Sequence, residues 1–388
     1  MIKMNRSDPF WETPKLTPQE LKNINRWKIY DHLYQAKKTS KQEIAQALGL
    51  SIPTVTQSLN VFIERGFVKN YGEAESTGGR RAQIFGFHAM ARVAVGVEVL
   101  KEGVQIVAVD LYGTILSEDY WQIPFENQDG YYRELCRRID RFSEQLHCTE
   151  EQDLGVCITI QGLVSSDGET ITFSEILNST GVSRRMYQQY LTMPCKLMHD
   201  TEAAALAEVW HRPDIGNAVY LALNRNFGGI LIVNGRVFNG GELSSGIIEH
   251  MCIDPDGPLC YCGKQGCVET FCSANSLRSA AQMDLGTFFE RMHGGDPRCC
   301  KIWRNYLHKL ALTIDNIRMI IDCEFILSGY LLEYMNEDDI QRLTRYVKEQ
   351  CAFDSPDFSL RLGRYGSKSA SLGAAISLIE DFLDHINW

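Results

Sequence analysis

The residues with the clearest chemistry form the run His250-Met251-Cys252-Ile253-Asp254-Pro255-Asp256-Gly257-Pro258-Leu259-Cys260-Tyr261-Cys262-Gly263-Lys264-Gln265-Gly266-Cys267. Thiolates and an imidazole arranged as a tetrahedron favour zinc, and four protein ligands leave no open position for catalysis. His250, Cys260, Cys262 and Cys267 are the expected ligands, because Gly263 and Gly266 allow the tight turns that would converge them. Cys252 and Cys272 are competing thiols, read as small buried hydrophobes. The chain's 13 cysteines are an odd number without a secretion signal, so the remaining thiols are expected to be reduced.

A second set of residues could read DNA. Leu21, Ile24, Trp27, Ile29, Leu33 and Tyr34 recur at helical spacing, as do Ile44, Ala45, Ala47 and Leu48, and then Ile52, Val55, Leu59, Phe62 and Ile63. Ser40 with Glu43 has the spacing of a capping box, Gly49 ends that block, and Ser51 can cap the next. Two helices joined by Gly49-Leu50-Ser51 make a helix-turn-helix pattern. In the third block Ile52, Val55, Leu59, Phe62 and Ile63 share the apolar side, and Pro53, Thr56, Gln57 and Asn60 face away from them. Such a face offers hydrogen-bonding groups to base edges in a major groove. Strands over 67–69 and 82–87 would flank a wing whose tip, Ser76-Thr77-Gly78-Gly79-Arg80-Arg81, brings Arg80 and Arg81 near phosphates or a minor groove.

The charge distribution agrees with this division. Residues 1–88 hold 13 basic and 8 acidic side chains, a balance of +5, whereas the rest of a chain whose net charge is −10 carries −15. A small basic module on a large acidic body suggests nucleic acid at one end and a different partner at the other. At 388 residues, with 44% hydrophobic and 23% charged side chains, a large core is available and collagen, a disulfide mini-scaffold and wholesale disorder are excluded. No apolar run is long enough to span a membrane and the N-terminus lacks a signal-peptide core, so a cytoplasmic protein with no membrane partner is expected.

Beyond residue 88 the pattern changes. Runs at 93–99 and 104–110 read as a hairpin, 130–147 as a helix, 155–160 as a buried strand, 201–210 as a helix, and 218–223 with 229–233 as a second pair of strands. From 302 the chain reads as mostly helical, interrupted by Phe325-Ile326-Leu327. Sheets alternating with helices twice over describe a two-lobed α/β body.

Gly257, Cys260-x-Cys262-Gly263-x-x-Gly266-Cys267-x-Glu269 closely resembles the signature of the ROK family of repressors, open reading frames and kinases. The likeness extends over about residues 20–388. Its winged helix-turn-helix resembles that of the family's sugar-responsive repressors, of the xylose and N-acetylglucosamine type. Asp200-Thr201-Glu202-Ala203-Ala204-Ala205 is similar to the family's Asn-Asp-Ala-Asn-Ala-Ala segment, and Leu372-Gly373-Ala374-Ala375 to its C-terminal helix. The resemblance implies an actin-like ATPase fold with a sugar in the cleft and zinc ordering the loop beside it.

The motifs also depart from that pattern. Where the family's phosphate turns read Asp-x-Gly-Gly-Thr and Gly-Thr-Gly-x-Gly, this chain has Glu98-Val99-Leu100-Lys101-Glu102 and Asn224-Arg225-Asn226-Phe227-Gly228. Lost glycines and added carboxylates would obstruct or repel a triphosphate. Asp200, aligned with the kinases' catalytic base, is then either a sugar-hydroxyl ligand or a helix N-terminal carboxylate. Gly-Glu-x-Gly-His becomes Gly246-Ile247-Ile248-Glu249-His250, and the Asn before the catalytic Asp becomes His199. Asp200, His250 and Glu269 remain as ligand-binding candidates, with Asn178 a further match in the upstream segment.

The expected organisation is a lead-in at 1–18, a winged helix-turn-helix at 19–88 and a ROK-type effector and oligomerisation body at 89–388. The expected function is that of a non-enzymatic transcriptional regulator, a repressor of carbohydrate genes that binds duplex DNA as a homodimer or higher oligomer and answers to a sugar or sugar derivative. The alternatives are a regulator that has exchanged sugar sensing for another ligand or partner, and a residual sugar kinase.

Overall fold

The computed structural model describes residues 17–73, 82–240, 246–353, 358 and 360–386. The N-terminal part contains α1 (Pro18–Ala36), β1 (Lys38–Ser40), α2 (Lys41–Leu48), α3 (Ile52–Glu64), β2 (Val68–Glu73) and β3 (Gln83–Phe87). Both α1 and α2 begin with complete capping boxes, Thr17 with Glu20 and Ser40 with Glu43, a device worth about 1 kcal/mol per helix. Thr17 and Pro18, which the sequence reading left in the lead-in, therefore cap and open α1. Gly49 takes the left-handed conformation, φ +63°, and Ser51 accepts the N–H of Thr54 to start α3. The strands pair in the order β1-β3-β2, so the wing hairpin gains a third strand that hydrophobic periodicity did not reveal. At Gly86 a Cβ would lie 2.3 Å from the Tyr71 ring, which packs over this position of the hairpin.

The first lobe runs β4 (Val93–Val99), β5 (Val104–Asp110), β6 (Ile115–Trp121), α4 (Asp129–Glu144), β7 (Asp153–Ile160), the short pair β8 (Leu163–Val164) and β9 (Ile171–Phe173), α5 (Arg185–Gln188), β10 (Cys195–His199) and α6 (Asp200–His211). The second runs β11 (Ala218–Leu223), β12 (Phe227–Val233), β13 (Arg236–Phe238), α7 (Glu269–Cys272), α8 (Ala274–Ala281), α9 (Leu285–His293), α10 (Pro297–Arg318), β14 (Glu324–Ser328), α11 (Glu337–Gln350), β15 (Leu360–Leu362) and α12 (Ser369–His385). The two main sheets repeat one topology. In each, three antiparallel strands are followed by two parallel additions, giving β6-β5-β4-β7-β10 and β13-β12-β11-β14-β15.

The helix that closes each half packs on the opposite sheet. α12 lies on β4, β5 and β7, α6 reaches β12 and β13, and the two helices cross each other between the lobes. Their approach is backbone-close, since a Cβ on Gly373 would meet the Ala203 carbonyl oxygen at 1.6 Å. The C-terminal half of α12 continues to the N-terminal domain. The Phe382 ring packs 5.9 Å from Phe67 at a tilt, and Arg92 lies over both rings. Tyr112 adds contacts to Tyr34 and Phe87 at 4.6 and 5.1 Å, so one apolar core runs from the helix-turn-helix to the cleft. Among the described residues, no helix is long and apolar enough to cross a membrane.

Candidate functional site

On α3, Val55, Leu59 and Phe62 are fully buried, while Pro53, Gln57 and Asn60 are exposed and Thr56 is half-buried. Positions 53, 57 and 60 follow the i, i+4, i+7 spacing that makes a single outward stripe. Ile52 and Ile63 do not join the core as their helical phase suggested; they are 42% and 39% exposed, and Ser58 is buried in the core-facing stretch instead. The Ser58 hydroxyl is satisfied by donating to the Thr54 carbonyl, which makes its burial inexpensive. Arg80 and Arg81 lie outside the described residues.

The second feature is the loop after the 3-10 turn Ile248–His250. His250, Cys260, Cys262 and Cys267 bring their donor atoms within 4.8 Å of one another. Cys262 Sγ lies 3.7 Å from Cys267 Sγ, and Cys260 Sγ lies 3.7 Å from His250 Nδ1. Thiolates about 2.3 Å from a tetrahedral ion would sit about 3.8 Å apart, which two of the pairs match, so a tetrahedral ion suits this donor set. Glycine is required at two corners. Gly263 has φ +86°, and Gly266 has φ +68° with space for a Cβ closed by the Asp254 carbonyl at 1.6 Å. An ion pair from Lys309 of α10 to Asp254, 2.9 Å, pins the loop to the second lobe. Burial, and then Lys264, hold the His250 imidazole below its usual range, keeping it neutral and available as a ligand. Cys272 is fully buried, as expected, but Cys252, which pairs with Cys267 in a short β-bridge, is exposed.

A cleft borders this loop. Asp200 is the first residue of α6; its Oδ1 accepts the Thr201 N–H at 2.7 Å and lies 3.2 Å from His199 Nε2. One oxygen of Asp200 thus sits at the helix N-terminus, where a carboxylate is favoured. Glu269 opens α7 and is already engaged: Asn226 Nδ2 donates to one oxygen at 2.8 Å, and the Phe227 N–H to the other at 2.6 Å. Burial pushes Glu269 up to about 7 despite those bonds. Two further carboxyls close on the same space. Glu98, at the end of β4, and Glu249, beside His250, are 6% and 9% exposed, and one oxygen of each is buried without a partner. Burial, and then Asp200, push Glu98 up to about 8; burial, Asp200 and Glu269 do the same for Glu249. Asp200, Glu249 and Glu269 all act on the Tyr261 phenol, so these three carboxyls face one region, and Glu98 is joined to them through Asp200. Asn178 is exposed and its carbonyl accepts from Asn127 Nδ2, a bond within the first lobe. Sequence reasoning treated Glu98 only as a phosphate repellent and passed over Glu249. The available signal was that the carboxyl missing at Ile247 reappears two residues on.

Beside the carboxyls, a cavity of about 430 Å³ lies between the lobes, with His199, Glu202, Asn239 and Ile247 in its wall. The two turns aligned with phosphate motifs are closed by side chains. Arg225 forms an ion pair with Glu102 across them, and Asn224 Oδ1 accepts the Tyr330 N–H at 3.0 Å.

Residues 94–381 match the ROK family, and residues 22–69 match a winged helix-turn-helix DNA-binding family. The chain belongs to the ROK family. Its relatives include the xylose repressor of Caldicellulosiruptor bescii, 21% identical over 94% of this chain and 97% of that protein. The Bacillus subtilis xylose repressor is 25% identical over the same shares. The Escherichia coli K12 DNA-binding transcriptional dual regulator NagC is 27% identical over 68% of this chain and 66% of its own. Among solved structures, a ROK family transcriptional regulator described as a homolog of the E. coli MLC protein superposes with a TM-score of 0.75, at 20% identity, over 94% of this chain and 96% of that one. A ROK family glucokinase from Streptomyces griseus matches with a TM-score of 0.66, at 20% identity, covering 74% of this chain and 98% of its own. The actin-like ROK fold with an N-terminal winged helix-turn-helix is therefore the architecture of this protein.

Proposed function

We propose that this protein is a DNA-binding transcriptional repressor of sugar-related genes, with residues 19–88 as its DNA-binding unit and residues 89–388 as its effector body. The observation that carries the reading is α12, a single helix that touches both the cleft lobes and the aromatic seat of the helix-turn-helix. A ligand that prefers one arrangement of the lobes can thereby shift the DNA-competent state by its differential affinity, typically about 1–3 kcal/mol. Pro53, Thr56, Gln57 and Asn60 would face the bases, with Arg80 and Arg81 near the backbone, and Asp200, His250 and Glu269 would border the effector. His250 can serve both roles, because Nδ1 faces the thiols and the ring has a second nitrogen.

Zinc is the ion this donor set suits best, as three thiolates and an imidazole in a closed tetrahedron match its structural sites. Its task would be to hold the 250–267 loop against the cleft. Phosphoryl transfer is not part of the proposed function, since side chains occupy the turns where backbone N–H groups would need to meet phosphate. Two-fold assembly on paired half-sites is the expected working form. The test is selection of bound duplexes from a random pool, with the full chain and with a variant lacking residues 1–88. An enriched, palindromic sequence for the full chain alone supports the reading; equal enrichment for both rejects it.

A further inference from the structure

We propose that Cys252 is the oxidation partner of Cys267: a peroxide joins the two thiols in a disulfide, and the bond withdraws Cys267 from the metal set. The proposal rests on the zinc reading above and adds to it a modification site that governs metal retention.

The backbone places the pair for bridging. The Ile253 N–H donates to the Gly266 carbonyl and the Val268 N–H to the Met251 carbonyl, both at 2.9 Å, so Cys252 and Cys267 stand directly opposite each other between those bonds. This is the non-hydrogen-bonded kind of antiparallel pair, in which Cα atoms come to about 4.5 Å and both side chains leave the same face. A disulfide accepts Cα separations of about 4.4–6.8 Å, so what remains is rotation of the side chains. The register is held from outside the pair, because the Asp254 carbonyl closes over Gly266 and Lys309 pairs with the Asp254 carboxylate.

The two thiols differ in what engages them. Cys267 is fully buried, and its Sγ lies 3.7 Å from Cys262 Sγ inside the four-donor set. Cys252 stands outside that set and faces solvent. Among the described residues, which include all 13 cysteines, Cys252 alone is exposed. A chain that otherwise shields its thiols thus leaves one open to a soluble oxidant, opposite a metal ligand.

Hydrogen peroxide supplies the two-electron oxidation. The Cys252 sulfur attacks one peroxide oxygen; an S–O bond forms, the O–O bond breaks, and water leaves carrying the thiol proton, giving a sulfenic acid. The Cys267 thiolate then attacks that sulfur; an S–S bond forms, the S–O bond breaks, and the departing hydroxide takes a proton from solvent to become the second water. A disulfide sulfur is no longer the thiolate that binds a metal, so His250, Cys260 and Cys262 are left to hold the ion more weakly.

The test uses the full-length protein loaded with zinc under argon and then exposed to hydrogen peroxide. A chromogenic chelator follows zinc release, and mass spectrometry of a non-reduced digest locates the bridge. The expected result is a loss of about 2 Da, one cross-link joining the Cys252 and Cys267 peptides, and release of about one zinc per chain, all reversed by a thiol reductant with added zinc. Cys252→Ser and Cys252→Thr keep all four ligands, and in both zinc release should slow at least about tenfold. Release at the unmodified rate in both variants, a bridge confined to Cys260, Cys262 and Cys267, sulfinic acid at Cys252 without a cross-link, or a Cys252–Cys267 bridge that leaves zinc bound would each overturn the proposal. Failure to take up zinc under argon would instead reject the metal reading, with the cross-link map still deciding whether the Cys252–Cys267 bond forms.

Discussion

Two polar loops of the second lobe solve similar geometric problems in opposite ways. The 250–267 loop uses glycines to turn sharply and aims four donors at one point, leaving them for something outside the chain. The turn at 224–228 has only one glycine, and its side chains are spent on the protein itself: Asn224 on Tyr330, Arg225 on Glu102, Asn226 on Glu269. The difference teaches how a site is closed without changing a fold. Backbone that could approach a ligand is covered when the adjacent residues acquire side chains with partners of their own. The same contrast shows within the cleft, where Glu269 is consumed by that turn while Glu98 and Glu249 keep unused oxygens.

The largest effect should come from breaking the loop that depends on an outside ion. Cys267→Ser removes a fully buried thiol, and zinc content should drop from about one per chain to near zero, with loss of hydrogen-exchange protection over 250–272. Atomic absorption after dialysis reads the first outcome. Full metal occupancy in a Cys260/Cys262 double serine variant would show that other ligands hold the ion.

A smaller effect is expected from the cleft carboxyl that has no outside partner. Glu98 titrates at about 8 in the folded protein against 4.5 ordinarily, with Asp200 and the Tyr220 phenol facing it. The folded state then binds the proton more tightly than the unfolded state, so this group's contribution weakens stability as pH rises from about 4.5 to about 8. Glu98→Gln should flatten that slope and raise ligand-free stability at pH 8 by about 2–4 kcal/mol, read by urea unfolding across pH. An unchanged pH slope would mean that the carboxyl is hydrated or paired.

Comparable in size, but confined to the DNA end, Gln57→Ala or Asn60→Ala should cost about 1–3 kcal/mol at individual base pairs. Metal content should not change in either variant, which separates the DNA-facing helix from the loop. Smallest of all is the clasp over the closed turns. Arg225 and Glu102 are 46% and 61% exposed, so Glu102→Ala should cost less than about 1 kcal/mol and lose its effect in high salt. Removing the clasp should not yield ATP-dependent sugar phosphorylation, because Asn224 and Asn226 still replace the glycines; phosphorylation abolished by Asp200→Asn would refute that account of the turns.

The amino-acid sequence alone determined what depends on neighbours along the chain. The metal ligands lie within one short segment with glycines at its corners, so their convergence is a local property and His250, Cys260, Cys262 and Cys267 were legible as a set. The same holds for Ser40 with Glu43 and for Ser51, whose capping partners sit three residues away. Tertiary structure decided whatever depends on which face finds a partner. Helical phase placed Ile52 and Ile63 with the core, yet among the described residues nothing covers those edges of α3, and both are exposed. Strand β1 is only three residues long and exists because β3 offers it an edge. Glu98 and Glu249 are 151 positions apart in the numbering, and the acidity of their shared surroundings arises only when crossed helices bring two lobes together. Burial and charge are properties of that assembled space, where water is excluded and Asp200 approaches both groups, and no local pattern encodes them.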